Sequence, residues 1–192
     1  MVTDILAAIA KEIRDISGTI DESMLKNTVE IIVKAPRVFT AGAGRAGAMM
    51  QCLTKRLMHI GIEAYVVGET TTPPARRGDL FLIGSGSGET ESLVVLAGKA
   101  KKLGVSVHLI TTNGSSTIGK MADSLLIIPA STPKSAVSGG GVATVQPMAN
   151  LFEQMLLICG DALSIEVAKQ KGMDYDSMFA RHANLEKLKY MA

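Results

Sequence analysis

Leu80-Phe81-Leu82-Ile83-Gly84-Ser85-Gly86-Ser87-Gly88-Glu89-Thr90 runs from an all-apolar stretch through a glycine-serine turn into a helical pattern that Gly104 stops. Apolar residues without polar alternation mark a strand covered on both faces, and therefore a parallel sheet. Working outward, Arg37 to Ala41 is a short β-like run closed by Gly42, and Ile62 to Val67 is another. Val105 to Thr111 and Ser124 to Ile128 complete a set of five. Helical patterns at 46–59, Glu89 to Leu103 and 115–122 separate them, with Pro73-Pro74 in a loop. A Gly/Ser-rich loop from Ser131 to Gly141 precedes a long helix from about Pro147 to Lys171. Two helices lead the chain. Thr3 is placed to cap the first, whose Ile5, Leu6, Ile9, Ile13 and Ile16 share a face, and Pro36 ends the second after Asp21 to Lys34. The expected fold is α/β: a doubly wound, five-stranded parallel sheet sandwiched by helices, flavodoxin-like, with N-terminal helices. The 192 residues are expected to form one domain, with leading helices at 1–35, an α/β core at 36–171 and a C-terminal segment at 172–192.

Composition removes several function classes. At 47% apolar and 20% charged residues, the chain buries a real core and is not disordered. A net charge of +2, with four Phe and three Tyr as its aromatics, supplies neither the basic stripe nor the stacking platform of a nucleic-acid binder. Cys52 and Cys159 lie in apolar stretches and read as reduced core thiols. Met1-Val2-Thr3-Asp4 has no positive n-region, and Glu153 and Asp161 interrupt the longest apolar segments before they reach membrane-spanning length. The expected location is the cytoplasm. No three ligands show metal spacing, no cofactor is expected, and the eleven methionines read as packing.

Ligands bind an open parallel sheet beyond the carboxyl ends of its strands, where two glycine-rich turns stand. Gly42-Ala43-Gly44-Arg45-Ala46-Gly47 matches the dinucleotide pattern G-x-G-x-x-G. The acid that should hold a ribose is poorly placed, with Glu63 too early on the next strand and Glu69 beyond Gly68; a plain helix-starting turn stays open as well. In the second turn, Gly86 and Gly88 free the backbone so that N–H groups converge. Ser85, Ser87 and Thr90 add hydroxyls, and the helix beginning near Glu89 points its positive end to the same spot. A cap needs one hydroxyl, not three, so this set suits a phosphomonoester. No P-loop lysine follows it.

The strand followed by Gly84-Ser85-Gly86-Ser87-Gly88-Glu89-Thr90-Glu91 resembles the sugar isomerase (SIS) domain family. Phe39 to Arg45, Arg56-Leu57-Met58-His59, Val67 to Thr70, Gln146-Pro147-Met148, Leu151 to Gln154 and His182 to Glu186 resemble its 6-phospho-3-hexuloisomerase branch over nearly the whole chain. Ala46 departs from the serine of many relatives, and the tail after Glu186 is extra. The resemblance implies isomerisation of D-arabino-hex-3-ulose 6-phosphate to fructose 6-phosphate by a metal-independent enediol route, in the ribulose monophosphate path of formaldehyde fixation. It also implies a homotetramer with sites shared between subunits. Other readings are a different phosphosugar isomerase, a phosphosugar-sensing domain or a dehydrogenase.

Moving the carbonyl requires a base that takes a proton from one carbon and returns it to the next. Glu153 is the conspicuous carboxylate, alone in the charge-poor stretch Met148 to Ile158, where burial would raise its pKa. The pattern leaves it open between a polar stripe, or a lysine partner, and a catalytic base; the resemblance favours the base. Asp161 falls on a similar helical face. Gly42, Gly44 and Arg45 are expected to frame the sugar, with Arg45 set against phosphate or an enediolate oxygen. Lys134 is a further candidate cation. His108 reads as core and His59 as a helix-end or subunit contact, while the resemblance makes His182 an acid for ring opening, reaching a neighbouring subunit.

Overall fold

The computed structural model describes residues 1–130 and 144–184. Five parallel strands form one sheet: β1 (Val38–Gly42), β2 (Ala64–Val66), β3 (Leu80–Gly84), β4 (Ser106–Thr111) and β5 (Ser124–Ile127), in the order β2-β1-β3-β4-β5. The helices are α1 (Val2–Ser17), α2 (Glu22–Lys34), α3 (Gly44–His59), α4 (Glu91–Lys102), α5 (Thr117–Met121), α6 (Asn150–Gln170) and α7 (Tyr175–Phe179). All five residues of β3 are buried, as expected of a central strand covered on both faces.

Strand periodicity divides the core in two. Val38, Leu80, Leu82, Ile110 and Leu126 face one way, onto Ile32 of α2, Met50 and Leu53 of α3, and Phe152, Met155 and Leu163 of α6. Phe39, Ala41, Phe81, Ile83, Val107 and Leu109 face the other way, onto Leu93 and Ala97 of α4 and Ile118 of α5. The doubly wound sandwich is as the sequence indicates. The seat of α6 is decided by packing, since its N-cap Ala149 makes no side-chain bond while Leu151, Phe152, Met155, Leu156 and Leu163 are buried. A good cap contributes about 1 kcal/mol, whereas each large buried side chain contributes about 1.5–3 kcal/mol. No helix among the described residues is long and apolar enough to cross a membrane.

Several boundaries move. Thr3 does not cap α1; the helix starts two residues earlier with Met1 as N-cap, whose ammonium bonds Asp4 Oδ2 at 2.5 Å. Strand β2 shrinks to three residues because Ile62 instead gives its N–H to Leu57 O, closing the end of α3. Helix α4 begins at Glu91, not Glu89, with Thr90 as its N-cap. Helix α6 begins at Asn150, because Pro147 to Ala149 form a turn in which Met148 holds φ 59°. Cys159 is buried, and its thiol is pushed up to about 11 by that burial, but Cys52 is exposed on α3 and is no core thiol.

Candidate active site

Strands β1 and β3 end together, with Gly42 in register with Gly84. From there β1 feeds α3 on one face of the sheet and β3 feeds α4 on the other, so a crevice opens where the strand order reverses. The cleft measures about 340 Å³ and is lined by Ala43 and Ala46, by Gly84 to Ser87 with Thr90, and by Met148, Ala149, Phe152 and Glu153 from the entrance of α6.

Glycine is required at both ends of the first turn. A Cβ on Gly42 would lie 2.8 Å from the Gly47 Cα, and one on Gly47 would lie 2.8 Å from the Gly42 carbonyl oxygen. The helix therefore rests on the strand end, and Gly44 takes φ 57°. This contact explains the glycine spacing sterically. Helix α3 starts at Gly44, which sets Arg45 on its first turn rather than in a loop. Beneath the cleft, a Cβ on Gly84 would come within 2.7 Å of Met50 and 2.9 Å of Leu156, so any larger residue there would have to displace those two side chains.

The second turn offers donors. Ser85 Oγ accepts the N–H of Gly88 at 3.2 Å, and Ser87 Oγ accepts that of Glu89 at 3.2 Å. A hydroxyl that accepts still has its own hydrogen to give, so the loop holds both serines with a donor to spare. Thr90 makes no capping bond, so its hydroxyl is not absorbed by α4. Gly88 has φ 63°, and a Cβ there would collide with the Ser116 hydroxyl, which fixes α5 behind the turn. Glu89 does not line the cleft; its carboxylate accepts the Thr117 N–H at 2.8 Å, at the start of α5.

Across the cleft, Arg45 Nη1 donates to Glu153 Oε2 at 3.0 Å and to Asn150 Oδ1 at 2.6 Å. Glu153 is 15% exposed and Arg45 46%, so the carboxylate sits inside and the guanidinium at the mouth. The partner left open by the sequence is thus an arginine from the first glycine turn, not a lysine. Asp161 lies outside the cleft, exposed and 3.9 Å from Arg56. Lys134 lies outside the described residues. His182 is not in this chain's cleft: its ring stacks on His59, at the far end of α3, with centroids 5.5 Å apart at 14°. His59 is buried with Nε2 unpartnered, and its pKa is lowered by desolvation and by the charges of Lys55 and Arg56. Among the described residues, no three His, Cys, Asp or Glu side chains form a group able to hold a metal ion.

The family profile of the SIS domain matches residues 31–158, which take in both glycine turns, the cleft and Glu153. The chain belongs to the SIS domain family. This SIS domain is 45% identical over 184 residues to a protein of Bacillus subtilis (strain 168) named 3-hexulose-6-phosphate isomerase, covering 96% of this chain and 98% of that one. It is 36% identical over 185 residues to a protein of the same name from Mycobacterium gastri, covering 96% and 92%. A crystal structure from Methanococcus jannaschii, for which a molecular function of 3-hexulose-6-phosphate isomerase was inferred, superposes with a TM-score of 0.80 at 32% identity, covering 95% and 99%. Sequence reasoning passed over Asn150 in this SIS domain. Its spacing of three residues before Glu153 puts the two on one helix face, a signal that was available. Met148 and Ala149 carried no such signal, because their place depends on the turn at Pro147.

Proposed function

We propose that this SIS domain is a sugar-phosphate isomerase interconverting D-arabino-hex-3-ulose 6-phosphate and fructose 6-phosphate. The supporting observation is that Glu153 and the Ser85, Ser87 and Thr90 donors face one cleft. Its 340 Å³ falls at the small end of the roughly 300–1,000 Å³ range of small-molecule sites, room for one hexose phosphate. Phosphate rests on the turn and the first amides of α4, leaving the carbon chain to run toward α6.

Glu153 takes the C2 proton while the C3 carbonyl oxygen receives the electron pair, forming a 2,3-enediolate. The O2 hydroxyl passes its proton to O3, and the same carboxyl returns a proton to C3 as the carbonyl re-forms at C2. Arg45, besides fixing Glu153, has further N–H groups for the enediolate oxygen. Gly42 and Gly44 shape the wall beside it, and Lys134 would add a cation. His182 would act in ring opening from a neighbouring copy, which makes the enzyme an oligomer, a tetramer on this reading. The reaction belongs to the ribulose monophosphate path of formaldehyde fixation in the cytoplasm.

Formation of fructose 6-phosphate from the hexulose phosphate tests the reading directly. Glu153→Gln should lower kcat by about 10²–10⁴-fold while a thermal shift with the sugar phosphate persists. Near-normal turnover in that variant would remove Glu153 as the base.

A further inference from the structure

The Ser85 to Thr90 turn is held from behind by residues that the mechanism above does not use. The Gly86 carbonyl oxygen accepts three hydrogen bonds from the end of β4 and the residue after it. These come from the Thr112 N–H at 3.1 Å, the Thr111 hydroxyl at 3.0 Å and the Thr112 hydroxyl at 2.8 Å. A carbonyl oxygen has two lone pairs, so three donors exceed what satisfying it demands. Thr111 is fully buried, and its hydroxyl oxygen also accepts the Asn113 N–H at 3.1 Å, which leaves its hydrogen directed at Gly86.

The peptide that follows is where this matters. A planar trans peptide points its C=O and its N–H in opposite directions. Drawing the Gly86 carbonyl back toward β4 therefore turns the Ser87 N–H forward. Ser87 lines the cleft, and among the described residues its N–H has no partner. Glycine at 86 leaves its own ψ unrestrained, so the facing of this peptide is set by the bonds to the Gly86 carbonyl together with the φ that Ser87 accepts; a flip would put a carbonyl oxygen where a dianion must sit. We infer that Thr111 and Thr112 are positioning residues of the anion turn, locking the Gly86–Ser87 peptide so that the Ser87 N–H is aimed at the phosphate of the substrate. This rests on the reading of the turn as the phosphate site.

The test uses the full chain and three readouts: KM and kcat with the hexulose phosphate, and inhibition by inorganic phosphate. Thr112→Val keeps the shape and the backbone N–H but removes one hydroxyl donor. It should raise KM and the inhibition constant of phosphate together, by about tenfold for about 1.4 kcal/mol of lost donor geometry, while kcat stays within about twofold. Thr112→Ser restores the hydroxyl and should restore both constants. A general packing defect would not be rescued by serine and would not move the two constants in parallel. Ser87→Ala separates the two levels of the argument. If Ser87→Ala raises both constants and Thr112→Val raises neither, the turn binds phosphate and the threonines do not position it. If inorganic phosphate fails to inhibit even the unaltered enzyme, the phosphate site itself is wrong and the inference falls with it. Thr111→Val should act as Thr112→Val does; because it opens a buried site, its result counts only alongside an unchanged melting temperature, and Thr112→Val decides without it.

Discussion

At the scale of single residues, His108 shows how a titratable group is kept out of the chemistry. It is fully buried in the middle of β4, with Nδ1 2.7 Å from Ser124 Oγ and Nε2 3.2 Å from Thr28 Oγ1. Thr28 gives its own hydrogen to the Met24 carbonyl at 2.7 Å, so Nε2–H donates to it and Nδ1 accepts from the Ser124 hydroxyl, and the ring is satisfied while neutral. Neither partner is a carboxylate, and burial pushes its pKa down to about 4. In the unfolded chain the same ring titrates near about 6.5. Above that pH it is neutral in both states and adds nothing to the pH dependence. Between about 6.5 and 4 the unfolded chain binds a proton that the fold excludes, so stability falls as pH falls. From pH 7 to about pH 4.5 the loss from this residue alone should be about 2–3 kcal/mol. His108→Gln removes the titration, so urea denaturation of the variant should show a shallower loss over that interval. Identical losses in the two proteins would show that His108 does not carry it. Glu153 differs in kind, since it reaches a cleft and a guanidinium, and that difference in setting separates a core residue from a candidate base.

Between elements, the least expected link ties α1 to the entrance of α6. Glu12 accepts the Thr144 hydroxyl at 2.7 Å, the Val145 N–H at 2.7 Å and the Gln146 side-chain amide at 3.0 Å. Desolvation raises its pKa, yet the bonds from Gln146, Val145 and Thr144 together bring it below the usual value. Two and three residues beyond Gln146, Met148 and Ala149 line the cleft, so the leading helix helps to place the site. Glu12→Ala should cost roughly 1–3 kcal/mol in urea denaturation and reduce turnover severalfold. Unchanged stability together with unchanged turnover would show the clamp to be idle. Such a link could not be read from the sequence, because it joins positions more than 130 apart and exists only once α1 has docked. The same limit hid the Arg45 partnership with Glu153, although each residue had been picked out separately. What was legible was local and periodic: the apolar runs of β3 and β4, the glycine turns and the long apolar helix each state their own structure. Strand β2 was misjudged in length because the end of α3 competes for Ile62, a contest that no strand propensity records.

For the whole molecule, the decisive fact is the distance between Arg45 and His182. Arg45 opens α3 and His182 stacks on His59 at its close, and a 16-residue helix is about 24 Å long. A chain therefore cannot bring its own His182 to its own cleft without dismantling the stack that holds it. If His182 takes part in ring opening, it does so across a subunit boundary, and symmetry then gives every copy one cleft and one donated histidine. Genetic mixing tests this. His182→Ala and Glu153→Gln should each be nearly inactive alone. Co-expressed in equal amounts, they assemble at random, and a site with both groups intact needs an unaltered Glu153 from one copy and an unaltered His182 from another. That coincidence occurs in about one quarter of sites, so the hybrid should recover about a quarter of normal activity. Full activity in His182→Ala alone would remove the histidine from the reaction. No recovery on mixing, with both single variants inactive, would mean that the two groups work within one chain and that the segment around His182 must leave His59 to do so.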